Sequence, residues 1–372
     1  MTHSDRPTLT PVNQDRTNPL HTRLTIPAIS ATLPPDRRQT IPMNGRRQQQ
    51  GPDMSKTDLI MTVPLPPLII DGLEEHFTIH KLWLAEDPET LLEKTAPNVR
   101  AIAAAVPILA MDQVWPIDAD FMSRFPKLEI VANLGVGYDN IDAKWASAHD
   151  IAVTNTPDVL TEETADTAFS LLLNTVREFS AAERYLRAGK WLEQPYRLTP
   201  SLQGRTLGIL GLGRIGRAIA RRAEGFGLKI VYHSRNKVDD STYPYYPDVR
   251  SLADACDILM VVVPGGPDTQ NLIDAGVLAA LGPDGILVNI ARGSIVDETA
   301  LIKALQDKTI LAAGLDVFAD EPNVPAALIA LENAVLLPHV GSASIPTRDA
   351  MSQLVVDNLI AWRRGEPLLT PV

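Results

Sequence analysis

Residues 206–227 read TLGILGLGRIGRAIARRAEGFG. A short run of branched and apolar residues stops on glycine, and three glycines, Gly211, Gly213 and Gly216, lead straight into a helical pattern. A strand, a tight turn and a helix are predicted here. Each glycine has a separate task in such a turn. Gly211 makes the bend, Gly213 lets the backbone come close to a pyrophosphate, and Gly216 allows helix and strand to pack closely. The free amides of Arg214 and Ile215 at the start of the helix then suit an anion. The stretch predicts one unit of a parallel sheet, shaped for a dinucleotide.

On either side the same alternation continues. Before it come LIMTV, FTIHKLW, VRAIAAAV, LEIVANLG and IAVTNT; after it come LKIVYH, ILMVVV, GILVNI, LAAGLDV and AVLLPHV. All are short, rich in β-branched or apolar residues, and separated by helical or turn-rich segments. This predicts an α/β protein with two parallel-sheet domains, Rossmann- or flavodoxin-like, and a ligand cleft between them. Between the two series, residues 161–191 read as one long helical pattern, opened by Thr161 with Glu162 and Glu163 in its first turn. The closing RDAMSQLVVDNLIAWRRG is amphipathic and is expected to pack back on the first domain.

Residues 1–53 differ: Pro, Thr, Arg and Gln without aromatics or a sustained apolar period. Such a segment buries too little surface to offset its ordering entropy, so residues 1–57 are expected to be a disordered extension. Translation starting at Met54 is the alternative. The extension lacks the apolar core of a secretory signal.

Across the 372 residues a net charge of −11 does not suit a nucleic-acid surface, and no apolar run approaches bilayer length. The one cysteine, Cys256, lies in ACDILMVVV and reads as a small core residue beside a buried strand. It excludes an intramolecular disulfide and any multi-cysteine metal site; no metal is expected, and a reducing cytoplasm is.

The strand after the glycine turn ends in Ser234, Arg235, Asn236 and Lys237. An acidic residue there would accept bonds from a ribose 2′-hydroxyl and repel a 2′-phosphate. Cationic side chains favour the phosphate, and a guanidinium fits that dianion bidentately. NADP(H) is therefore the expected cofactor, with NAD(H) as the other possibility. Reduction is the expected direction.

Three further stretches occur in order: LVNIARGSIVDETAL, GLDVFADEP and LLPHVGSAS. Together with GLGRIG they resemble the D-isomer-specific 2-hydroxyacid dehydrogenases, in particular their NADPH-dependent glyoxylate/hydroxypyruvate reductase branch. The resemblance runs from about Asp58 to the C-terminus. It implies that Arg292 binds the substrate carboxylate and carbonyl oxygen, that His339 exchanges a proton with that oxygen, and that Glu321 pairs with His339. The residue types suit these tasks. Arginine offers a planar fork to a carboxylate, histidine titrates near neutrality, and only a nicotinamide can carry the hydride.

The resemblance further implies that the amides of Gly135, Val136 and Gly137 meet the substrate, and that Asp316 binds the nicotinamide carboxamide. It adds Pro264, Thr269, Ile290, Ala291 and Gly341 to the cofactor contacts, and Trp191 as a cover for the pocket. Residues 58–159 and 340–372 would form the substrate-binding, flavodoxin-like domain, and residues 160–339 the Rossmann NAD(P)-binding domain. A homodimer acting on a small 2-keto or 2-hydroxy acid is implied. Gly265 and Gly266 stand where many members carry bulkier residues, which leaves the adenine-side contacts around Pro264 open; AAAVPILAMD departs from the pattern in a region that contacts substrate, which leaves the substrate open. Two other readings fit the same residues. One is an NAD-dependent dehydrogenase of a D-2-hydroxy acid such as lactate, glycerate or phosphoglycerate. The other is a nucleotide-sensing, corepressor-like binding protein.

Overall fold

The strands Ile258–Val261, Ile286–Asn289 and Ala312–Leu315 are buried at every residue, as strands covered by helices on both faces must be. They belong to the second of two sheets in a computed structural model of the chain, which describes residues 55–106 and 114–372. The expected disorder of the N-terminal extension falls on residues outside these, apart from its last three positions, and so does most of AAAVPILAMD.

The first lobe runs β1 (Thr57–Met61), α1 (Pro67–Glu74), β2 (Phe77–Lys81), α2 (Pro88–Thr95), β3 (Ala101–Ala105), α3 (Ala119–Ser123), β4 (Ile130–Leu134), α4 (Ala143–Ala148) and β5 (Ala152–Thr154). Helices α5 (Thr161–Arg177) and α6 (Phe179–Arg187) lead to the second lobe. That lobe runs β6 (Thr206–Leu210), α7 (Arg214–Gly225), β7 (Lys229–His233), α8 (Val249–Asp254), β8 (Ile258–Val261), α9 (Ala275–Leu281), β9 (Ile286–Asn289), α10 (Glu298–Gln306), β10 (Ala312–Leu315), α11 (Ala326–Ile329) and β11 (Ala334–Leu336). The chain ends with α12 (Ile345–Arg364).

Every strand pair is parallel. The first sheet has the order β2-β1-β3-β4-β5, the flavodoxin arrangement. The second has the order β11-β10-β9-β8-β6-β7. A single parallel bridge, Tyr232 to Tyr245, adds a one-residue strand outside β7. Counting it, the lobe's first four strands lie in the order third, second, first, fourth, as in dinucleotide-binding sheets. In each sheet the strand order reverses beside its first strand, between β1 and β3 and between β6 and β8. The loops leaving the C-terminal ends of these strands are where ligands bind in such folds.

Six helices, α2, α3, α4, α8, α9 and α10, begin on an aspartate whose side chain accepts from a first-turn amide. Each such cap is worth about 1 kcal/mol. Helix α7 is built otherwise: its N-cap is Gly213, no side chain caps it, and no acid lies in its first turn. Its leading amides are left for a ligand.

The expected long helix is broken. Glu178 adopts a left-handed conformation with φ of 53° and separates α5 from α6. Two side-chain arrangements compensate the strain of about 1–2 kcal/mol. Asn174 accepts from the Ser180 amide at 2.9 Å, and the Glu178 carboxylate receives Tyr196 Oη and Arg197, each at 2.8 Å. Beyond the break α6 buries none of its residues, and Trp191 is 66% exposed. Helix α12 instead joins the first lobe: Met351, Val355, Val356 and Leu359 share a core with residues of β1, β3 and β4. Truncating the fully buried Leu359 to alanine would cost about 2–5 kcal/mol. Cys256 is buried against Gly208, and burial pushes its thiol up to about 12.

Candidate active site

A cleft of about 560 Å³ lies where the strand ends of the two sheets face each other. The first lobe supplies Val63, Pro66, Val106 and residues 134–137; the second supplies Val262–Gly265, Ile290–Arg292 and Asp316. Residues 338–343 and Arg348 complete it.

His339 is one of the few non-glycine residues with positive φ, at 54°. The strand-end turn can hold this strained shape because Asp316 grips it three times. The His339 amide donates to the Asp316 carbonyl at 2.9 Å, and the Val340 and Gly341 amides donate to its two carboxylate oxygens at 2.7 and 2.8 Å. Asp316 is buried, and that burial pushes its carboxyl up, against the two amide donors that favour the anion. Asp316, which the resemblance assigns to the nicotinamide carboxamide, fixes the histidine turn.

Glu321 closes the other side. Its Oε2 lies 2.7 Å from His339 Nδ1, and its Oε1 accepts from the Phe318 amide at 3.0 Å. A carboxylate can only accept, so Nδ1 carries the proton and Nε2 is the nitrogen left for the cleft. Burial pushes the Glu321 carboxyl up, but the bond and charge of His339 outweigh it, and the carboxyl ends below its ordinary value. Three other described histidines are engaged elsewhere: His80 bonds Asp58, His149 a backbone carbonyl, and His233 the Tyr246 carbonyl.

Arg292 follows β9 on a turn stapled by a buried asparagine. Asn289 donates to the Arg292 carbonyl at 2.8 Å and accepts from the Ala291 amide at 3.0 Å. Gly293 is needed next, because a Cβ there would sit 1.8 Å from the Phe318 carbonyl carbon. The turn carrying Arg292 therefore packs directly on the loop carrying Glu321. Arg292 Nε donates to both oxygens of Asp139, at 3.0 and 3.2 Å, and Nη1 to the Ala291 carbonyl at 2.7 Å. Asp139 comes from the first lobe, so this ion pair crosses the cleft. It holds the guanidinium in one orientation, with Nη2 against Gly137. Gly265 is explained here too: a Cβ on it would lie 2.8 Å from Arg292 Cγ and 2.9 Å from Asp139 Oδ2.

In the 135–137 loop the carbonyls are occupied. Gly135 receives Thr156 N, Val136 receives Asn155 Nδ2, and Gly137 receives Asn133 Nδ2 at 2.8 Å. The amides of Val136 and Gly137 have no backbone partner among the described residues, which leaves them for an anion.

At the glycine turn the three glycines differ in what surrounds them. Gly211 has φ of +103°, and a Cβ on Gly216 would lie 2.1 Å from the Gly211 carbonyl oxygen. Around Gly213 there is open space, as close approach of a phosphate requires. Ile215 lines the cleft, while the Arg214 side chain turns outward to Asp158 at 2.8 Å. Ser234 ties the next strand to the turn, its Oγ accepting from the Leu212 amide at 3.0 Å. Arg235, Asn236 and Lys237 are exposed just beyond.

Thr269 and Trp191, like the three glycines of the turn and residues 234–237, are not among the residues lining this cleft. Thr269 closes the loop after β8, its hydroxyl donating to the Pro264 carbonyl at 2.8 Å. Trp191 stands on the arm after α6. Sequence reasoning missed Asp139, Asn289 and Arg348. An asparagine inside an apolar strand such as ILVN was the one local sign for Asn289, since amides are disfavoured there.

Comparison with known proteins agrees with this geometry. Residues 169–341 match the family described as D-isomer specific 2-hydroxyacid dehydrogenase, NAD binding domain. The chain is 44% identical to glyoxylate/hydroxypyruvate reductase A of Arabidopsis thaliana, over 86% of this chain and 100% of that protein. It is 42% identical to 2-ketogluconate reductase of Gluconobacter oxydans, over 86% of this chain and 99% of that one. The crystal structure of an NADPH-dependent glyoxylate/hydroxypyruvate reductase from Sinorhizobium meliloti, in complex with NADP and malonate, superposes with a TM-score of 0.77 at 47% identity, covering 86% of this chain and 97% of that one. With both sheets, the glycine turn and the Arg–Glu–His cleft in place, the chain belongs to the D-isomer specific 2-hydroxyacid dehydrogenase family.

Proposed function

We propose that the protein is an NADPH-dependent reductase that converts a short 2-keto acid, glyoxylate or hydroxypyruvate, to the D-2-hydroxy acid. The observation that carries this is the His339–Glu321 pair at 2.7 Å beside Arg292 in one cleft between two sheet switch points. The 2-ketogluconate reductase relative shares the keto-acid head of its named substrate with the glyoxylate/hydroxypyruvate reductases and differs in the tail.

The residues fit a nicotinamide dinucleotide. Gly213 leaves room for a phosphate, the uncapped start of α7 offers amides, and Ile290, Ala291, Pro264 and Gly341 line the cleft. Arg235 and Lys237 have no side-chain hydrogen-bond or ion-pair partner among the described residues, which suits a 2′-phosphate. Bound there, the reduced cofactor supplies the hydride for the carbonyl carbon. Arg292 Nη2, together with the amides of Val136 and Gly137, binds the carboxylate and polarises the adjacent carbonyl. His339 Nε2 delivers the proton to the carbonyl oxygen, and Glu321 holds the imidazole in the required tautomer. Asp139 acts as a positioning residue through Arg292.

In this reading residues 58–159 with 340–372 bind substrate and 160–339 bind cofactor. The protein works as a cytoplasmic homodimer, joined through the second lobe. Support for the dimer comes from α6 and the arm after it, where Phe179, Leu186, Trp191, Leu192 and Leu198 are all exposed. Among the described residues no helix is long and apolar enough to cross a membrane.

The test is a panel of short 2-keto acids assayed with NADPH and with NADH. Glyoxylate should be reduced with NADPH preferred. Absence of turnover would favour a nucleotide-sensing role, and faster D-2-hydroxy acid oxidation with NAD would reverse the assigned direction.

A further inference from the structure

The cleft contains a second guanidinium that the reaction above does not use. Arg348 lies in the first turn of α12, which packs on α1 and β4, so it belongs to the first lobe's side while Arg292 leaves β9 in the second. Both line the same cavity. Arg222 and Arg292, whose side chains are also largely buried, each have a carboxylate partner. Arg348 has neither ion pair nor side-chain hydrogen bond among the described residues. The acid whose charge it feels, Asp316, has both oxygens engaged by the Val340 and Gly341 amides. Burial accordingly pushes the Arg348 guanidinium below its ordinary value. The same cavity is also lined by the apolar Val63, Pro66, Val106 and Met351. A partly desolvated charge in such a cavity is unfavourable unless a ligand brings an acceptor to it.

We propose that Arg348 determines specificity for the substrate's tail, donating to an acceptor oxygen carried on carbon 3 of the 2-keto acid or on a carboxylate attached to that carbon. This rests on the keto-acid reading given above. Arg292 and His339 engage the head that all such acids share. Arg348 distinguishes hydroxypyruvate, or an acid with a distal carboxylate, from pyruvate, whose methyl group leaves the guanidinium unpaired. A site that donates to an oxygen discriminates strongly against the analogue lacking it, because its own buried polar group is then left unsatisfied.

The test compares kcat/KM for glyoxylate, pyruvate, hydroxypyruvate and oxaloacetate, with NADPH, in the native enzyme, Arg348→Met and Arg348→Lys. The native enzyme should prefer hydroxypyruvate to pyruvate, and Arg348→Met should lower that ratio about 10- to 150-fold, the worth of one charged hydrogen bond. Arg348→Lys should restore part of it, and it carries the test alone if Arg348→Met does not fold. A greater loss on oxaloacetate than on hydroxypyruvate identifies a carboxylate as the recognised group; the reverse identifies a hydroxyl. An unchanged ratio, or an equal loss on all four acids, overturns the proposal while leaving the reductase reading intact. A native enzyme inactive on all four overturns both.

Discussion

Replacing Gly137 by alanine perturbs the anchor without touching the glycine turn or the His339–Glu321 pair. The new Cβ would lie 1.8 Å from Arg292 Nη2, 2.7 Å from Cζ and 3.0 Å from Asp139 Oδ1. Ordinary contact needs a separation of about 3.5 Å, so the fork must retreat by about 1.5 Å or more. Gly137 has no left-handed φ, so the substitution carries no backbone strain. The atom displaced is the far end of a flexible side chain, and the fold should absorb the change. The substrate carboxylate, by contrast, loses one charged hydrogen bond, worth about 1.5–3 kcal/mol. That corresponds to a drop of about 10- to 150-fold in kcat/KM for glyoxylate. Steady-state kinetics give this number; thermal unfolding and NADPH binding serve as controls and should stay near native values. A Gly137→Ala enzyme with native Tm and kcat/KM within about threefold of native would refute Arg292 as the carboxylate anchor.

Arg235→Asp should invert the cofactor preference, lowering kcat/KM for NADPH by about tenfold or more and raising that for NADH; equal effects on both would reject a 2′-phosphate contact. Glu321→Gln should lower kcat by on the order of 10²-fold or more, because the amide can donate as well as accept and no longer fixes the tautomer, and its neutral group no longer stabilises the imidazolium. Since the Glu321 carboxyl is held below its ordinary value, the pair's stabilisation is fully present above about pH 4.3 and lost as pH falls through the lower folded value. Thermal unfolding against pH should therefore show the native advantage over Glu321→Gln shrinking only on the acid side.

The parts of this protein legible in its sequence are those set by neighbours in the chain. Alternating apolar runs and helical patterns marked every strand of both sheets, because the inner strands are buried on both faces and such burial demands short, continuous apolar runs. Gly211, Gly213 and Gly216 could be read from the chain because their spacing, directly after a strand and into a helix, is local. The break at Glu178 could not: residues 161–191 carry helical preferences throughout, and the side chains that stop the helix include Tyr196 and Arg197, further along the arm.

The proposed catalytic set divides along the same line. Glu321 and His339 lie 18 residues apart, in motifs whose order carries the resemblance, whereas Asp139 meets Arg292 from 153 residues away and from the other lobe. No local pattern encodes such a pair, since ionic contacts depend on where two surfaces meet and not on backbone preference. Sequence by itself therefore determined the sheets, the dinucleotide turn and the candidate chemistry. Only the tertiary structure decided how Arg292 is oriented, why Gly137 and Gly265 must lack side chains, and that Arg348 enters the cleft without a partner. Folding brings these groups together from separate lobes, and a desolvated charge reveals its role through what surrounds it.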